Sequence, residues 1–252
     1  MEDRFFSLHL AKAAYQQAAL ERKMDEAEAE EDEHYDSIYE LKKEQSQELG
    51  KARFIYQLGD EESLININKV KAEIIANLPG INSAPEPQAL ATEIDERRTA
   101  KEFKVKQELM LIEGIDQELY SQFEGLITVY GEGKVNINTA QPEIFQVLGL
   151  SEGLVDTIID FRKGDDDEEG TEDDEVFGNG DANSILESLR SVTTPEPSWY
   201  EQINGKFCVK SNNFNIEITA EVSGQPIKKY TIIWENNLDQ GILSNIKYWS
   251  ER

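Results

Sequence analysis

Cysteine is all but missing from this sequence. Cys208 is the only one in 252 residues, so no disulfide can form within the chain. Histidine is nearly as scarce: His9 and His34 lie near the N-terminus, far in sequence from Cys208 and the serines. No nucleophile motif, phosphate-cradling glycine loop or zinc-ligand spacing is present. Apolar runs long enough to cross a bilayer are absent too, and Met1-Glu2-Asp3-Arg4 does not open like a signal peptide. These absences leave no candidate catalytic residue and point to a binding or structural role rather than an enzyme.

Basic residues are the other deficit. Twenty-five Lys and Arg stand against fifty-one Asp and Glu, for a net charge of -26. Nucleic-acid binding depends on clustered cations that release counterions from phosphates. The one modest basic run, Arg97-Arg98-Thr99-Ala100-Lys101, is flanked by Glu on both sides. This balance argues against a nucleic-acid partner and for a protein one.

What is present is a repeat. Ile65-Asn66-Ile67-Asn68 runs into Lys71-Ala72-Glu73-Ile74-Ile75, and Val135-Asn136-Ile137-Asn138 runs into Gln141-Pro142-Glu143-Ile144-Phe145. A fixed offset marks a repeated supersecondary unit. Alternating apolar residues predict a strand end, and the Asn side chains are expected to cap the helix that follows. Helices are expected to turn back at Leu78-Pro79-Gly80, Glu113-Gly114 and Leu148-Gly149, where glycine supplies the left-handed conformation. Asp116 and Ser151 are the expected caps of the second helices. The middle of the chain therefore reads as three helix–hairpin–helix units.

Before them, Phe5, Leu8, Ala11, Tyr15, Ala18 and Met24 recur at helical spacing, predicting one amphipathic helix from Met1 to about Glu31. Residues 53–58 and 64–68 read as a β-hairpin across Gly59–Ser63. After Pro195-Glu196-Pro197, alternation over residues 206–210, 214–222, 228–234 and 243–249 predicts an antiparallel meander. The early hairpin is too small to stand alone and should join this late sheet. The expected fold is α+β, with a long N-terminal helix on an antiparallel sheet and an inserted all-α domain. The expected divisions are 1–68, 69–198 and 199–252.

Taken in order, Gly59-Asp60-Glu61-Glu62-Ser63-Leu64-Ile65-Asn66-Ile67-Asn68, the run Val129–Ala140, Ser211–Ile216 and Ile246-Lys247-Tyr248-Trp249 resemble the minor pseudopilins of the bacterial type II secretion system, general secretion pathway protein K family. The resemblance covers nearly the whole chain. It implies a non-enzymatic subunit at the pseudopilus tip that initiates or caps fibre assembly. Its implied partners are the I- and J-type minor pseudopilins and the pseudopilus, with secreted proteins as further candidates. The implied location is the periplasmic face of the inner membrane, reached through an N-terminal apolar segment that this chain lacks. The alternative from another class is a soluble helix–hairpin–helix nucleic-acid-binding protein, since the Asn-Ile-Asn-Thr-Ala motif also opens DNA-binding competence proteins.

Two sets of binding residues follow. Asp165, Asp167, Thr171, Asp173 and Asp174 lie in an acidic, glycine-bearing loop that could wrap calcium, a cation that takes six to eight oxygens. The resemblance supports calcium, while the spacing departs from the helix–loop–helix calcium pattern. The plain alternative is a solvated, self-repelling loop. Phe5, Leu8, Ala11 and Tyr15 are the expected partner-binding stripe, partly shared with the core. Trp249 is expected in the core, Trp199 is open between core and interface, and Cys208 reads as a small strand residue rather than a reactive thiol.

Overall fold

Alternation decides the first unit. In the computed structural model, which describes residues 7–20, 44–166, 168, 169, 171, 173–224, 226–236 and 245–251, five strands form one antiparallel sheet. They are β1 (Gln45–Leu49), β2 (Ala52–Asp60), β7 (Asn213–Val222), β8 (Lys228–Glu235) and β9 (Asn245–Glu251), in the spatial order β1-β2-β7-β8-β9. Register pairs Phe54 with Ala220, Tyr56 with Ile218, Ile216 with Ile232 and Phe214 with Trp234, so the buried apolar side chains of β2, β7 and β8 fall on one face. A helix over residues 7–20 covers that face. Ala11, Ala14, Ala18 and Ala19 line its inner side. Small side chains there let the helix settle among the aromatic rings of the sheet, where a longer residue would overpack. The hydroxyls of Ser7 and Tyr230, 2.9 Å apart and buried, fix the helix on β8. The rest of the expected N-terminal helix, with Phe5, Met24 and His34, lies outside the described residues.

The chain forms two compact units. The first is Met1–Asp60 and Asn212–Arg252, with which Glu169–Glu172 is grouped; the second is Glu61–Glu168 and Asp173–Ser211. Sequence reading set the junctions after Asn68 and before Trp199, and the structure moves both. Ile65-Asn66 (β3) does not form a hairpin with β2. It pairs in parallel with Ile127-Thr128 (β4), while β2 pairs with β1 across Gly50 and Lys51. Likewise Phe207-Cys208 (β6) leaves the meander and pairs in parallel with Val135-Asn136 (β5). The physical reason is non-local: apart from the partly exposed Cys208 these two-residue strands are buried, and their hydrogen-bond partners lie some sixty to seventy positions away in sequence.

The second unit is built twice over. Ile65 N–H donates to Leu126 and Ile67 N–H to Thr128; Val135 N–H donates to Lys206 and Ile137 N–H to Cys208. Each half thus opens on an Asn-Ile-Asn strand that pairs with the strand closing the same half. The closing runs also match, Phe123-Glu124-Gly125-Leu126-Ile127-Thr128-Val129 against Ile203-Asn204-Gly205-Lys206-Phe207-Cys208-Val209. Between opening and closing strands lie short helices: Ala72–Ile75, Pro87–Ala100 and Gln117–Phe123 in the first half, then Pro142–Val147, Glu152–Arg162, Ala182–Ser188 and Trp199–Ile203 in the second. Gly80, Gly114 and Gly149 turn at positive φ, as expected. The stretch before Gly114, Lys106–Leu111, is 3₁₀ rather than α. Trp199 belongs to this unit's core.

Candidate functional surfaces

The repeated asparagines do not cap the helices that follow them. Helices 72–75 and 142–147 start at Lys71 and Gln141 with no side-chain cap, whereas Asp116 does cap, accepting from Leu119 N–H at 2.8 Å. Asn66 and Asn136 instead fold their carbonyls back to the N–H groups of Asn68 and Asn138, at 2.9 and 3.0 Å. That local turn is the usual competitor of a helix for Asn. It aims Asn68 and Asn138 away from the strand, and each clamps one remote phenylalanine by both backbone groups. Asn68 accepts from Phe103 N–H at 2.9 Å and donates to its carbonyl at 3.0 Å. Asn138 does the same to Phe177, at 2.8 and 3.1 Å.

A second anchor is also repeated. Arg98 donates to the carbonyl of Ile67, and Arg162, buried, to that of Ala140 at 2.7 Å. Arg98 and Phe103 are five positions apart, while Arg162 and Phe177 are fifteen apart. The acidic loop is that difference, an excursion of the second half suspended between two pinned points. Loops displayed on rigid frames are where binding functions concentrate.

Within the loop, Asp173 Oδ2 accepts from the N–H groups of Asp165 and Asp166 at 2.7 and 3.0 Å, and Asp166 Oδ1 accepts from Glu168 N–H at 2.8 Å. Gly164, at φ 65°, brings its backbone so close to Asp173 that a Cβ would lie 2.1 Å from the Asp173 carbonyl oxygen. Asp165 and Asp173 are exposed, and Thr171 and Asp174 are half-buried. Asp167 lies outside the described residues. Among the described residues no group of three His, Cys, Asp or Glu is arranged to hold a metal. The described carboxylates therefore do not by themselves fit a calcium shell.

The three glycine turns were the places to look for phosphate binding. Each is already engaged. Gly80 is packed so tightly that a Cβ would meet Leu119 at 2.5 Å and Gln122 at 2.9 Å. After Gly114, the helix start is held by the Asp116 carboxylate, a charge that repels phosphate. After Gly149, Ser151 N–H donates to Gln202 at 2.7 Å. The carbonyls of Val147 and Leu148 are taken by Asn77 and by the Lys206 ammonium, at 3.0 and 2.8 Å. Of the basic run, Arg98 is drawn into a pair with Asp95.

Lys206 offers a pH test of this packing. Burial, with Lys71 nearby, lowers its pKa below the ordinary lysine value. Between the lowered and the ordinary value the unfolded chain binds more protons than the folded one, so this group makes stability rise with pH there. Urea midpoints followed through that window should show a rising contribution that Lys206→Met removes. An identical pH slope in both proteins would contradict it.

Of the expected partner-binding stripe, Ala11 and Tyr15 are buried in the head's own core. Tyr15 meets Trp234 edge-on at 5.5 Å. Those two side chains are therefore corrected from interface to core, because the sheet takes the apolar side of the helix. Leu8 is half-buried against the same core, and Phe5 lies outside the described residues. His9, Lys12, Gln16 and Leu20 are exposed. Trp249 is half-buried on β9 and lies edge-on to Tyr230; Cys208 is partly exposed. No helix among the described residues is long and apolar enough to cross a membrane.

No protein-family model and no curated relative matches the chain. Among solved structures it is similar to the GspK chain of the GspK–GspI–GspJ complex from the type 2 secretion system of enterotoxigenic Escherichia coli. The match has 13% identity and a TM-score of 0.62, and it covers 96% of this chain and 98% of that one. The two share a fold of helices and antiparallel sheet over essentially their full length.

Proposed function

We propose that this chain is a K-type minor pseudopilin of a type II secretion system, a non-enzymatic subunit that assembles with I- and J-type minor pseudopilins. One observation carries the reading: the likeness to the GspK chain extends across both units and nearly all of each chain. Sharing one unit would mean little, because pilin-like heads and small helical units are each widely reused. The proposed place is the pseudopilus tip, on the periplasmic side of the inner membrane, where the subunit initiates or caps the fibre and supports export. A subunit that devotes most of its residues to an appended helical unit suits an end of the fibre better than its repeating shaft. The test is assembly: co-purified with the I- and J-type subunits of the same secretion system, the chain should form a ternary complex, and deletion of its gene should stop export. Absence of a complex with those subunits would overturn the proposal.

Calcium at residues 165–175 belongs to the same proposal. The density of carboxylates on an anchored excursion supports it, and the proposed donors are Asp165, Asp167, Thr171, Asp173 and Asp174. A cation that binds only the folded loop stabilises by mass action, about 2.7 kcal/mol at a hundredfold excess over its dissociation constant. Calcium should raise the melting temperature and a chelator reverse it. Magnesium should do less, since it prefers a tight octahedron and keeps its waters. Joint replacement of Asp165, Asp167, Asp173 and Asp174 by Asn should abolish the response. Coincident melting curves with and without calcium would refute the site.

A further inference from the structure

Asn-Gly occurs twice in the sequence, at residues 179–180 and 204–205. The pair is chemically unstable in water, because a glycine nitrogen reaches the side-chain carbonyl of the asparagine before it with no Cβ in the way. At 179–180 packing requires the glycine. A Cβ on Gly180 would lie 2.7 Å from the Phe207 carbonyl oxygen and 3.0 Å from Cys208 Cα, on β6. Asn179 itself is exposed, and so is Gly178 before it, which has open space where a side chain would stand. The Asn179 Oδ1 accepts from Asp181 N–H at 3.1 Å. No backbone hydrogen bond among the described residues closes over this pair. Asn204-Gly205 is the same dipeptide held differently. It forms the centre of a tight turn, with Asn204 at φ -53° and ψ 120° and Gly205 at φ 75°. Lys206 N–H closes that turn by donating to the Ile203 carbonyl at 3.1 Å. These are the angles of a type II turn, and they direct the Gly205 nitrogen away from the Asn204 side chain.

We propose that Asn179 is a site of self-modification, at which the chain's own backbone converts the neutral amide to aspartate or isoaspartate. The Gly180 nitrogen attacks Asn179 Cγ. A bond forms between them, the Cγ–Nδ2 bond breaks, and Nδ2 leaves as ammonia with the proton that Gly180 gives up. Water then opens either carbon–nitrogen bond of the cyclic imide, and a carboxylate remains. Negative charge develops on Oδ1 as the nitrogen adds, and Asp181 N–H already donates to that atom. A donor preset on a developing oxyanion lowers the barrier. The isoaspartate product lengthens the main chain by a carbon directly before Gly180, whose close packing on β6 leaves no slack. The reaction needs no partner, so it stands apart from the pseudopilin reading.

The test is incubation of the full chain at mildly alkaline pH, followed by peptide mass spectrometry and labelling with an isoaspartate-specific methyltransferase. Asn179 should convert at least about tenfold faster than Asn204, with isoaspartate among its products. Asn179→Gln, which would have to close a larger ring, should stop the reaction there and leave the rate at Asn204 unchanged. In urea the preference for 179 over 204 should shrink, because the protecting turn and the Asp181 donor are both lost. Equal rates at the two sites in the folded chain, or conversion at Asn179 only after denaturation, would overturn the proposal. So would a preference that persists unchanged in urea, since the fold would then not be what selects Asn179.

Discussion

Replacing Trp234 by alanine should collapse the sheet-and-helix head. Trp234 is fully buried on β8, where its ring lies edge-on to Tyr15 of the helix and tilted against Phe214 of β7, at centroid distances of 5.5 and 5.8 Å. Its ring thus touches both the helix and the neighbouring strand. Removing a buried tryptophan costs about 3–5 kcal/mol, from lost transfer free energy plus the cavity left behind. A domain has about 5–15 kcal/mol in total, so the head would be left marginal. Trp234→Phe should cost less, because an aromatic ring still faces Tyr15. The remaining tryptophans report on different units, Trp249 on the head and Trp199 on the helical unit. Denaturant titration of Trp234→Ala should show the Trp249 environment lost early. A shift below about 1 kcal/mol would mean the ring is not what joins helix to sheet.

Asn138→Ala should cost about 3 kcal/mol. The alanine leaves both the N–H and the carbonyl of Phe177 buried without their side-chain partner, and each orphaned group costs about 1–3 kcal/mol. Asn68→Ala removes the matching clamp on Phe103, but that site is only part-buried, so water can replace some of what is lost. The expected order, Asn138 costlier than Asn68, tests whether burial sets the value of two otherwise equivalent clamps. Asn138→Asp should be worse than alanine near neutral pH, since a carboxylate can accept from Phe177 N–H but meets its carbonyl oxygen with like charge. Amide exchange should show faster opening around Phe177 and the loop before it. Equal costs at positions 68 and 138 would mean that burial does not decide the matter.

Much of this was legible in local pattern. Periods of two and of 3.6 disclosed the strands and the N-terminal helix, because burial on one face imposes those periods directly on neighbouring residues. The duplicated Asn-Ile-Asn runs disclosed the repeat. Glycines at 80, 114 and 149 marked real turns, since a left-handed backbone requires them. What sequence alone could not decide was pairing. Nothing in Ile65-Asn66 says that its ladder partner is Ile127-Thr128 rather than β2, and nothing in Asn138 names Phe177. Those choices depend on which buried backbone groups finally meet, and a buried strand end takes whichever partner closes the core. The same holds for the N-terminal helix. Its periodicity revealed that one side is apolar, but only the sheet decided that Ala11 and Tyr15 would be covered by the chain's own core, leaving Lys12, Gln16 and Leu20 outside.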